Sequence, residues 1–379
     1  MIAPRLAAAI GLVLTALNGP TPPPRTFESG NPGRVPGPSR ERLSRAEPGP
    51  AHAPGTARLP PVGLPPPPAP PAERERGVAL GLFAEDVSFS YAPLLAEIVA
   101  LGATHVALVV PLYQADGASV ELGLDTRFSP TLETIAETAR AAKRDGLEVT
   151  IFPIVRLSAP RGGEWRGTLA PRDRDAWFQS YGDKLGDLAG VAAMTGAKRL
   201  VVGSELSTLD GDLDRWRPVI EKVRAVFGGK LVYSANWDHY KKAALFDLVD
   251  EEGISGYFNL RDAKDPDDDA TAEAGWRRVR QELEAWRSGR SAPFIFTELG
   301  YRSRAGATAA PWDEGPGGKS DPDEQRRGFA AFRRAWTGSA ALDGVYIWNW
   351  YGYGGAGTTS YTPRGKPAEA EVRALLESL

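Results

Sequence analysis

The chain has 379 residues, enough for one large domain or two ordinary ones, and its 42% hydrophobic and 25% charged content is that of a globular protein. It contains no cysteine, which excludes a disulfide framework and a lipid-bearing cysteine. Residues 1–76 hold nine basic and five acidic residues, so residues 77–379 hold 36 basic against 43 acidic, a net charge of −7 that argues against nucleic acid as a partner.

In chain order, residues 1–19 place Arg5 before an apolar run from Leu6 to Leu17. The run is too short to span a bilayer as a helix but has the length of a signal-peptide core. The expectation is a secreted, cell-surface or periplasmic protein with no membrane span once processed. Residues 20–76 form a Pro-rich linker: 18 of the 33 prolines lie between Pro20 and Pro71, with Phe27 as the one aromatic residue. Such a segment buries too little apolar surface to offset chain entropy and is expected to be disordered.

From Gly77 to Leu379 short apolar runs alternate with amphipathic stretches. The runs are 77–83, 104–113, 148–155, 199–206, 230–237, 253–260, 293–301 and 344–350. Helical periodicity covers 129–146, where Ser129 can cap and Pro130 can open the first turn, then 173–196, 212–228, 270–289, 321–338 and 368–376. Strands apolar on both faces and alternating with helices predict a parallel sheet covered by helices. Eight of them predict a closed (β/α)₈ TIM barrel rather than an open doubly-wound sheet. The turn after the first strand, "FAEDVSFSY", lacks the glycines of a dinucleotide site.

In such a barrel the strand C-termini carry the function. Here they read Glu85, Asp86, Tyr113, Gln114, Arg156, Glu205, Asn236, Trp237, Tyr257, Asn259, Glu298, Tyr301, Trp348, Asn349 and Trp350. Aromatic faces stack on sugar C–H surfaces while amides and carboxylates bond hydroxyls, so the set points to an oligo- or polysaccharide as partner. Glu205 in "VVGSEL" and Glu298 in "FIFTELGY" each close a buried run, on opposite sides of the mouth. Two opposed carboxyl groups can divide glycoside hydrolysis between a proton donor and a nucleophile. Glu205 has no Lys or Arg beside it in sequence, an isolation expected to help keep it protonated because desolvation raises a carboxyl pKa. His52, His105 and His239 are too few for a metal site or a Ser-His-Asp triad, and "DPDDDA" lacks the spacing of a calcium loop. No metal or cofactor is expected, and the chain is expected to act as a monomer.

The stretches "VALVVPLYQ", "GGEWRG", "WFQSYGDKL", "VVGSEL", "FTELGY", "YIWNWYG" and "YTPRGKPAE" together resemble glycoside hydrolase family 113, of clan A, whose known members are β-mannanases and relatives. The resemblance spans nearly all of 77–379. It implies a retaining β-glycosidase with Glu205 as acid/base and Glu298 as nucleophile, Tyr257 hydrogen-bonded to the nucleophile and Trp348 as the platform beneath the reacting sugar. Asn236, Trp237, Trp165 and Tyr301 complete the expected sugar-binding set. Two departures stand out: Ser204 precedes the acid where many clan members carry Asn, and strand three ends "FPIVRL" where relatives close to "PHVD" have His and Asp. A different β-hexoside, or a barrel that binds sugar without cleaving it, are the alternatives.

Overall fold

The computed structural model describes residues 74–86, 88–315, 318–352 and 354–379; the expected signal segment and most of the expected linker lie outside the described residues. The strands are β1 (Glu75–Gly81), β2 (His105–Gln114), β3 (Glu148–Leu157), β4 (Arg199–Ser204), β5 (Lys230–Ala235), β6 (Glu251–Ser255), β7 (Phe294–Leu299) and β8 (Gly344–Ile347). Every neighbouring pair is parallel, and β8 closes on β1 through the Glu75–Gly344 to Val78–Ile347 register. The (β/α)₈ expectation holds.

Seven α-helices flank the described barrel: α1 (Ala92–Ala100), α2 (Leu132–Arg144), α3 (Arg174–Thr195), α4 (Leu213–Arg224), α5 (Asp269–Arg287), α6 (Pro322–Trp336) and α7 (Pro367–Glu377). The β5–β6 connection carries two 3₁₀ turns, Tyr240–Lys242 and Ala244–Leu248, in place of an α-helix. Helix α1 is not among the helices predicted from periodicity, being only nine residues of mostly apolar sequence. Helix α2 is capped by Thr131, whose side chain accepts from the Thr134 amide, and not by Ser129. The Ser129 hydroxyl instead donates to the Pro111 carbonyl at 2.7 Å, tying the helix entry to β2.

The alternation of side chains along each strand builds two cores. Ala79, Ala107, Val109, Phe152, Val201, Val232, Ile295 and Tyr346 fill the barrel interior, while the larger core lies between strands and helices. Tyr346 explains the glycine opposite it: a Cβ on Gly77 would lie 2.4 Å from its ring. Below it, at the N-terminal ends of the strands, the interior is ionic. Arg199 bridges Glu75 and Glu251 at 2.6 and 2.5 Å and donates to the Tyr346 hydroxyl. Strand β1 therefore begins at Glu75, two residues before the apolar run, because the network takes its first carboxylate there. His105 and Lys198 complete the cluster, so His105 is structural. The opposite, C-terminal rim is left for the site.

Candidate active site

Strand β4 carries a bulge between Val201 and Gly203, after which the chain turns sharply. Glu205 takes φ 55°, and it is the one non-glycine residue with positive φ among the described residues. The left-handed region costs a non-glycine residue energy and is held where packing over-determines it. The Glu205 amide donates to the Ser234 carbonyl at 2.7 Å, fixing the turn against β5. Its carboxyl group is 3% exposed and both oxygens are engaged: Ser255 Oγ donates at 2.5 Å, and Arg166 Nη2 lies 2.5 Å from Oε2.

The Arg166 contact corrects the expectation of an isolated acid. Arg166 opens a 3₁₀ turn, Arg166–Thr168, in the loop after β3. The Glu164 carboxylate accepts from the Gly117 and Arg161 amides, and Ala170 and Arg172 bond Gly117 and Ala118, so the loop is laced to the one after β2. A cation 39 positions away in sequence thus sits on the acid. Glu205 is ion-paired.

Glu298, on β7, is 1% exposed. Tyr257 donates its hydroxyl to Oε2 at 2.8 Å, as the resemblance implied, and Ser204 Oγ lies 3.4 Å from Oε1. Ser204, the departure from Asn, therefore faces the other glutamate. Burial, then the charge of Glu205, push the Glu298 carboxyl up to about 8 against the pull of Arg166 and Tyr257. The neutral form of Glu298 is therefore favoured in the empty site.

Two cavities open at the rim. One, of about 470 Å³, is lined by Glu205, Trp165, Asn236, Trp237 and Tyr257, with Trp312 beside them. The other, of about 490 Å³, lies against Trp348. Arg166, Glu314 and Tyr361 line both. Trp165 and Trp312 expose large faces, 37% and 50%, suited to stacking. Asn236 is held by its own turn, its amide donating to Asp238 and its oxygen accepting from the Trp237 amide.

Tyr301 is the one expected sugar-binding residue that the structure removes. It is fully buried, accepts from Trp276 Nε1 at 2.7 Å and packs edge-on against Phe329. Glu298 points into the barrel, so Leu299 and Tyr301 point to the helices. Trp350 and Gln114, also at strand ends, are likewise buried, bonded to Glu97 and Trp177. Arg166, Trp312, Glu314 and Tyr361 were not singled out in the sequence; the signal for Arg166 was its place in "GGEWRG". Asp267 of "DPDDDA" comes within 4.8 Å of Asp321 and Glu324, but Arg261 and Arg327 already bridge these carboxylates.

A closed barrel with two buried glutamates at the ends of β4 and β7, under an aromatic cleft, defines a glycoside hydrolase of clan A type. The sequence model of Glycoside Hydrolase Family 113 matches residues 85–356. The chain belongs to glycoside hydrolase family 113. Among solved structures, a family 113 β-1,4-mannanase in complex superposes with a TM-score of 0.71 at 23% identity over 81% of this chain and all of that one. The family 113 β-mannanase AaManA from Alicyclobacillus acidocaldarius gives 0.71 at 25% identity over 81% and 98%. A β-glucuronidase from Faecalibacterium prausnitzii shares the fold at 0.56 and 13% identity, over 81% of this chain and 49% of its own. Among curated proteins none matches the sequence. No helix among the described residues is long and apolar enough to cross a membrane.

Proposed function

We propose that this chain is a retaining β-glycoside hydrolase acting on β-mannan or manno-oligosaccharides, with Glu298 as nucleophile and Glu205 as acid/base. The observation that carries the reading is the environment of the pair. Glu298 is gripped by Tyr257 in the barrel interior, while Glu205 opens into the cavity lined by Trp165, Trp237 and Trp312, where a departing sugar can stack. The kinship to structures described as β-mannanases supports the sugar.

In the first step a Glu298 oxygen bonds to the anomeric carbon as the glycosidic C–O bond breaks and Glu205 gives its proton to the leaving oxygen. In the second, Glu205 takes a proton from water, which attacks the same carbon and frees Glu298. The reactive complex therefore needs a proton on Glu205 and the negative charge on Glu298, whose neutral form the empty site favours. A sugar hydroxyl donating to Glu298, and a leaving sugar that parts Arg166 from Glu205, both favour that arrangement.

Glu205→Ala should be slow on natural glycans but far less impaired in forming the glycosyl-enzyme from an aryl glycoside whose leaving group needs no proton. Azide should restore its turnover and give a β-glycosyl azide. Glu298→Ala should lose both substrates, and a β-azide from that variant would reverse the roles. We further propose that the enzyme works outside the cytoplasm, from the charge and length of its first 19 residues; an N-terminal sequence of the cellular protein that still begins at Met1 would overturn this.

A further inference from the structure

The two cavities of the cleft carry opposite charge. The cavity around Glu205 has three carboxylates, Glu205, Asp238 and Glu314, against the single cation Arg166. The cavity against Trp348 has three arginines, Arg156, Arg166 and Arg302, against the single carboxylate Glu314. On the hydrolase reading above, the leaving sugar lies beside the proton donor Glu205. The Trp348 cavity is then the glycone side, and it is cationic.

Two of its arginines, Arg156 and Arg302, make no ion pair with a described acid, although the charge of Arg302 acts on Asp313. Arg156, at the exposed end of β3, has its guanidinium 5.6 Å from the Phe83 ring and no carboxylate partner among the described residues. Arg302 gives its N–H groups to the Thr359 and Gly315 carbonyls and the Thr359 hydroxyl, neutral acceptors that fix its position and leave its charge. A neutral hexose offers such a cavity hydroxyls but no charge. A planar guanidinium with free N–H groups matches a carboxylate or a sulfate, bonding two oxygens at once.

We propose that the Trp348 cavity selects a glycone residue bearing an anionic substituent, a carboxylate or a sulfate ester, and that Arg156 recognises the charge. Arg302 supplies a fixed field behind it, and Ile154, which lines the same wall, contributes no competing polar group. The proposal rests on the glycosidase reading for the side of the cleft, and its core claim is one of binding.

The test is calorimetric titration of the full chain with three probes at low and moderate salt: methyl β-mannoside, methyl β-mannosiduronate and methyl β-mannoside 6-sulfate. At least one anionic probe should bind about tenfold more tightly than the neutral one, with the advantage shrinking in salt. Arg156→Gln should remove that advantage and leave the neutral probe unchanged, while Arg156→Lys should keep part of it. The arm that binds tells carboxylate from sulfate. Equal binding of all three, or an anionic advantage that survives Arg156→Gln, overturns the proposal. Aryl glycosides of the same sugars form a separate readout: selective binding without cleavage of any of them would refute the hydrolase reading and leave the anion site standing.

Discussion

At the scale of the residue, Glu205 and Glu298 show how similar sequence environments acquire different chemistry. Each follows an apolar run, and each is buried. Yet Glu205 meets a guanidinium and a serine hydroxyl, whereas Glu298 meets a tyrosine and a serine hydroxyl. Since Glu298 is raised from its ordinary 4.5 to about 8, its stabilising contribution as a neutral group is complete below 4.5 and is lost as pH rises through about 8. Glu298→Gln does not titrate and keeps a side chain of the same shape. Melting temperatures of the two proteins should therefore diverge in favour of the variant between pH 5 and pH 8, by on the order of several degrees. Parallel profiles across that range would show that Glu298 is already ionised.

The elements matter through the loops they launch. Strand β3 ends in Leu157, and the loop that follows delivers Trp165 and Arg166 to the cleft because Glu164 accepts from the Gly117 amide of the β2 loop and from the Arg161 amide of its own loop. Glu164→Ala removes both, at about 1 kcal/mol each for charge-assisted bonds of this exposure. The expected result is a several-fold loss of kcat/KM on manno-oligosaccharides with a melting temperature within a few degrees of the parent; full activity would mean that the loop is held by its other bonds. The element pattern itself was legible: each of the eight apolar runs contains or overlaps an observed strand, and six helices fall within a few residues of the periodic stretches. What periodicity missed has local causes. Helix α1 is short and mostly apolar, and Tyr301 sits at a strand end where parity, not position, decides which core it joins.

For the whole molecule, the ionic cluster at the strand N-termini joins β1, β4, β6 and β8 across the closed barrel, and these partners come from 75 to 346 in the sequence. Burial would raise the Glu75 carboxyl, but Arg199 foremost among its neighbours holds it down to about 2, while burial chiefly lowers His105 to about 4. Both shifts give stability that is lost on acidification, for His105 as pH falls from about 6.5 and for Glu75 as it falls below about 4.5. Arg199→Met strands the buried Glu251 carboxylate and leaves Glu75 to Lys198 and the Tyr346 hydroxyl, and denaturant melts at neutral pH should show a loss of about 3–5 kcal/mol. The folded fraction should keep its kcat, because the cluster lies at the end of the barrel opposite the cleft. A change below 1 kcal/mol would mean that Glu75 and Glu251 take up protons or water at little cost.

The sequence by itself determined the barrel, since the period of apolar residues is a local property, and it determined the pair of glutamates, since each ends its own strand. It also marked Tyr257, Trp348, Asn236, Trp237 and Trp165, all of which reach the cleft or its floor. Only the tertiary structure decided what surrounds them. The cation on Glu205, the upward shift of Glu298 and the opposite charges of the two cavities all arise between residues tens to hundreds of positions apart. Coulomb interaction and burial depend on distance in space, and barrel closure sets that distance without leaving a local mark on the chain.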